Sequence, residues 1–168
     1  NGETAFDRSR KLFQWHGRGE GRITVMLGPH APYTCPPDYL KRVMSLADEL
    51  GTGIHIHLAE TITEYNDIKA QYGKTPIALM DEIGLFERPV LAAHCVVLDD
   101  QDIDILARHK VGVAHNPESN MKLASGAARV PEMLAAGIPV ALGTDGASSN
   151  NNLDMIQEMR TCCFMHKL

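Results

Sequence analysis

Apolar and polar positions along the chain alternate between two rhythms. Short apolar or β-branched runs at residues 23–27 (ITVML), 54–58 (IHIHL), 89–93 (PVLAA), 111–114 (VGVA) and 138–142 (IPVAL) read as buried strands. Between them, apolar residues recur at helical spacing. Residues 4–16 carry Ala5, Leu12, Phe13 and Trp15 among charges and stop in a glycine-rich turn at 17–21. Residues 38–50 carry Leu40, Val43, Met44 and Ala47, opened by Pro36 and Pro37 and followed by Gly51. Further helical patterns cover 63–71, 75–83, 99–109, 130–136 and 153–168, and residues 118–126 read as a loop. Met155, Met159 and Met165 fit a helix face packed on a core.

Strand followed by helix, repeated, predicts an α/β fold of parallel units joined by right-handed crossovers. No repeat or linker divides residues 1–168, so one domain is expected. Five units are too few for a closed eight-stranded barrel of about 250 residues. A doubly wound sheet would show a glycine-rich phosphate loop after its first strand, where this chain has GPHAP. The expectation is therefore a partial (β/α)8 barrel of the TIM type. Its strand edges are open, and interior apolar residues such as Val25, Ile56, Val90 and Val140 lack partners. Such surfaces favour self-association, so a homo-oligomer is expected.

Composition narrows the function. The 168 residues are 44% hydrophobic and 22% charged, enough for a packed core. A net charge of -5 gives no electrostatic footprint for nucleic acid or an anionic membrane. No apolar run approaches the roughly 20 residues of a membrane helix. Residues 1–10 are polar with no signal-like pattern, and a cytoplasmic location is expected. Cys35, Cys95, Cys162 and Cys163 form no CxxC pair or disulfide framework and read as reduced thiols.

The chemistry gathers where strands end. His55 and His57 share a strand face, and Glu60 follows just past the end. Imidazole suits a metal ion and the carboxylate suits proton transfer; the ordinary alternative is an interior histidine and a helix-capping glutamate. His94 and Asp145 close later strands, and each taken singly could be a packed histidine or a turn residue. Together they mark the carboxyl-terminal rim where such folds place active sites. His30, Asn116, Ser119 and Asn120 fall on the same rim, either contacting a polar ligand or serving as turn and loop residues. His16, His109 and His166 sit on helical segments away from the rim and read as surface or packing residues.

Four motifs in order, HIHLAET, AAHCVVL, VAHNPESNMKLASG and LGTDGASSNNNLDM, resemble the metal-dependent amidohydrolase superfamily. They are similar in particular to its cytosine-deaminase-like and chlorohydrolase-like branch, and within it to the 5-methylthioadenosine/S-adenosylhomocysteine deaminases. The resemblance spans Gly28 to Met159 and implies that this chain supplies barrel strands four to eight. It implies one divalent metal, zinc or else iron, held by His57 and Asp145, with Glu60 as proton shuttle and His94 and Asp145 as further catalytic groups. His30 would approach the purine, and His55 would be a packing residue. The reaction implied is hydrolytic deamination of an adenine nucleoside such as methylthioadenosine or S-adenosylhomocysteine. Guanine, cytosine or chlorotriazine substrates, or a catalytically silent self-associating module, are the alternatives. The family's first-strand His-x-His, first three strands and small β-sandwich are missing, so the chain is expected to be a fragment with a half-complete metal site, inactive alone.

Overall fold

The computed structural model describes residues 2–15 and 21–167. His16 and most of the glycine-rich turn lie outside the described residues. The elements run α1 (Gly2–Gln14), α2 (Pro37–Leu50), β1 (Ile54–Leu58), α3 (Ile62–Tyr72), α4 (Pro76–Glu82), a 3-10 turn (Leu85–Glu87), β2 (Val90–His94), α5 (Asp100–Arg108), β3 (Gly112–His115), α6 (Pro117–Lys122), α7 (Val130–Ala135), β4 (Val140–Leu142) and α8 (Met155–Met165). The strands are parallel and lie in sequence order, β1-β2-β3-β4, with no reversal of the kind that marks a doubly wound sheet. That is the order of a β/α barrel wall.

Several helices begin where a side chain satisfies their free N–H groups, while α2, α6 and α7 start on a proline in their first turn instead. Thr61 Oγ1 accepts from Glu64 N–H at 3.1 Å, and Thr75 Oγ1 from Ala78 N–H at 3.0 Å. Asp99 and Asp102 form a reciprocal capping box at the start of α5. The helices then cover one side of the sheet. Ile54, Ile56 and Leu58 are fully buried there, in a continuous apolar cluster with Leu40, Ile68, Ile77, Leu106 and Met133.

The other side carries two rows, His55–Leu91–Gly112 and His57–Ala93–Ala114–Ala141, set by the strand register. His55 and Ala141 are exposed and Leu91 is half-buried. Ile56 and Val90 are thus not interior barrel residues, as the sequence suggested. They face the helices, because in β1 and β2 the even positions turn that way. Val140 is likewise packed, partly buried, against the apolar cluster.

Three further expectations change. Residues 23–27 do not form a strand; only Leu27 bridges Ile54, with Leu27 N–H donating to Gly53 O at 3.0 Å and His55 N–H to Leu27 O at 2.8 Å. An edge segment bonded on one side holds its ladder weakly, and Ile23 and Met26 stand exposed. Gly53 permits this crossing, since a Cβ there would lie 2.7 Å from the Pro89 carbonyl oxygen. Residues 118–126 are not all loop: α6 occupies their first part, started by Pro117 and held because Glu158 on α8 accepts from Glu118 N–H at 3.2 Å. The α8 methionines are not core residues throughout. Met155 and Met159 are exposed, because α8 meets α6 and β4 along its Glu158 and Thr161 edge.

Candidate metal-binding and catalytic site

Three strand ends leave the sheet through left-handed backbone. Ala59 (φ 51°) follows β1, His94 (φ 72°) and Cys95 (φ 48°) end β2, and Asp145 (φ 60°) follows β4. Each costs about 1–2 kcal/mol in a non-glycine residue, so the surroundings must hold them. After β1, the buried Glu64 does so: Oε1 accepts from Ala59 N–H at 3.1 Å and Oε2 from Glu60 N–H at 2.8 Å. Burial raises the Glu64 carboxyl, opposed by those same two N–H groups. After β2, Cys95 N–H donates to Leu58 O and Val96 N–H to Ala59 O, both at 3.0 Å.

These turns bring His57, His94 and Asp145 together. One ligand-capable atom from each lies within 4.8 Å of the others, a grouping that could hold a metal ion. His57 Nδ1–H donates to the His30 carbonyl at 2.7 Å, which fixes the ring and turns its other nitrogen, Nε2, outward. His94 is almost fully buried. Its Nδ1 meets Asn120 Oδ1 at 2.9 Å, and Asn116 Nδ2 stands 3.5 Å away. His94 Nε2 in turn faces Glu60 Oε2 at 3.8 Å.

Asp145 Oδ2 accepts from Ser119 Oγ at 2.8 Å and from Ser149 Oγ at 2.5 Å. Burial alone would raise its carboxyl; the Ser149 and Ser119 hydroxyls, the Gly146 N–H and the charge of His94 outweigh that and hold it below the ordinary carboxylate range. The site therefore offers an anionic oxygen and two imidazoles, a donor set suited to zinc.

All eight residues singled out in the sequence lie on this rim. The geometry gives several a specific partner: Ser119 bonds Asp145, Asn120 bonds His94, and the buried Asn116 packs so closely on the β4 turn that a Cβ at Gly143 would collide with its Oδ1. The His30 side chain is exposed and bonds Thr34 Oγ1 at 2.8 Å, while its carbonyl anchors His57. His55 lies one row back, its ring 6.4 Å from that of His57. Three contributors were not apparent beforehand. Glu64 and Ser149 sit among ordinary helix and loop residues, and the His30 anchor is main chain. The TxxE pattern starting at Thr61 was the one available signal, and it announces only a cap.

Comparison with known proteins agrees with this geometry. The model of the amidohydrolase family matches residues 1–168. The 5-methylthioadenosine/S-adenosylhomocysteine deaminase of Syntrophomonas wolfei is 65% identical over 168 residues, covering 99% of this chain and 39% of its own length. That of Moorella thermoacetica is 66% identical over 154 residues, covering 92% and 36% respectively. Among solved structures, a zinc-bound adenosine deaminase from Xanthomonas campestris superposes with a TM-score of 0.90 at 41% identity, over 96% of this chain and 37% of that one. The chain thus spans well under half the length of the relatives it matches. With the sequential parallel sheet and the rim it carries, these matches establish that the chain belongs to the amidohydrolase family and forms one arc of its β/α barrel.

Proposed function

We propose that this chain carries half of the active site of a metal-dependent hydrolytic deaminase acting on an adenine nucleoside, of the methylthioadenosine or S-adenosylhomocysteine type. The observation that carries the reading is the convergence of His57, His94 and Asp145 with Glu60 at one rim. The names of the relatives support the substrate class, and the zinc in the Xanthomonas structure supports the metal. His57 Nε2 and the Asp145 carboxylate would hold a single divalent cation, zinc in preference to iron, with the remaining positions filled from outside this chain. That cation supplies Lewis acidity, which makes water nucleophilic near neutral pH.

The chain's own groups do the proton work. Glu60 gives a proton to the ring nitrogen beside the amino-bearing carbon, making that carbon electrophilic. Asp145 takes the proton that water loses on attack and passes it to the departing amine, so ammonia leaves neutral. His94 presents its unprotonated Nε2 to accept a hydrogen bond from the water and then from the hydroxyl on the tetrahedral carbon, holding both in place without changing its own proton count. Collapse returns the hydroxyl proton to Glu60 and closes the proton count. Asn116, Ser119 and Asn120 hold these groups in place and form part of the substrate-facing wall, with His30 beside them.

Glu60→Gln in the full-length protein tests this. Turnover should fall by about 10²–10⁴-fold with metal content unchanged; undiminished turnover removes Glu60 from the mechanism. An absorbance panel of adenine nucleosides, guanine, cytosine and chlorotriazines separates the proposed substrate from other reactions of related enzymes. The open barrel face also leads to a homo-oligomer of this chain. A light-scattering mass of one 18.4 kDa chain at micromolar concentration would contradict it.

A further inference from the structure

Beside the rim cluster, a second convergence joins β3 to α8. His115 is the last residue of β3 and is fully buried. Cys162 and His166 are four residues apart, one turn along the same helix face, both half-buried. One ligand-capable atom from each of the three lies within 4.8 Å of the others, and no residue is shared with the His57, His94 and Asp145 group.

The hydrogen bonding of His115 is incomplete. Its Nδ1 is buried with no partner, and its Nε2 meets the His166 Nε2 at 3.4 Å. That distance is long for a hydrogen bond, whose usual range ends near 3.2 Å. It matches the spacing of two nitrogens around a tetrahedral zinc, about 3.3–3.4 Å for bonds of about 2.0–2.1 Å. The nitrogen open to an ion is therefore Nε2, whose contact with His166 is longer than an ordinary hydrogen bond, while the unpaired Nδ1 lies on the other side of the ring.

We propose that His115, Cys162 and His166 form a second metal site, for a thiophilic divalent ion of the zinc class, that fastens α8 to the end of β3. Two imidazoles and a thiolate suit such an ion, and three protein ligands leave one tetrahedral position for water. Binding releases the Cys162 thiol proton to solvent. The effect on the molecule is structural. The site clamps α8 beside Asn116 and α6, whose Ser119 and Asn120 hold Asp145 and His94.

Cobalt(II), a spectroscopic stand-in for zinc, tests this on the chelator-treated 168-residue chain. Sulfur ligation gives a thiolate-to-cobalt charge-transfer band in the near ultraviolet, which the sulfur-free His57, His94 and Asp145 group cannot produce. The band should appear on titration and be bleached by zinc. It should vanish in Cys162→Ser and persist in Cys163→Ser, and His166→Ala should weaken cobalt binding at the band by about tenfold or more. Absence of the band in the wild-type chain overturns the proposal whether or not any variant folds. Persistence of the band in a Cys162→Ser chain with unchanged far-ultraviolet circular dichroism also overturns it. Because the readout needs no turnover, it is independent of the deaminase reading.

Discussion

The helix-facing and barrel-facing sides of the sheet are made from the same strands, residue by alternate residue, yet only the first is closed. On one side Ile54, Ile56 and Leu58 reach zero exposure against α2, α3 and α4; on the other, His55 and Ala141 are open to solvent. Stability and chemistry are thus divided between faces rather than between regions of sequence. A single β strand serves both because its side chains alternate with period two.

Three substitutions rank the faces. Ile56→Ala, on the closed side, should lower unfolding free energy by about 2–5 kcal/mol, read from denaturant midpoints at constant m. Leu91→Ala, half-buried on the open side, should cost about 1 kcal/mol. His55→Ala should fall within about 0.5 kcal/mol of wild type. Equal losses at Ile56 and His55 would break the comparison, showing that the open face is covered in solution. A His55 effect that grows with protein concentration would sharpen it, because self-association would then be the cover.

How far the sequence speaks follows the same division. The alternation in residues 54–58 makes both faces legible, and Thr61, Thr75 and Asp99 announce their helices through cap chemistry that needs no tertiary contact. His57, His94 and Asp145 are legible as strand-end residues because parallel units place those ends on one rim. Residues 23–27 are strand-like in composition but lack a second neighbour to pair with. The α6 turn is hidden because Pro, Glu, Ser and Asn are also what loops are made of, and its support comes from Glu158, forty positions away. His166, on an apparently ordinary helix end, meets His115 only through the docking of α8. No helix among the described residues is long and apolar enough to cross a membrane, in line with the hydropathy pattern.

The contact between His57 and the carbonyl of His30 has a practical consequence. Its acceptor belongs to the polypeptide backbone, so it survives any replacement of the side chain at position 30 that leaves the turn in place. An alanine scan would report residue 30 as dispensable to ring orientation while the group responsible stayed in every variant. Exposing that dependence requires editing the main chain itself, for example by an ester in place of the amide whose carbonyl His30 supplies, which weakens the acceptor without altering any side chain.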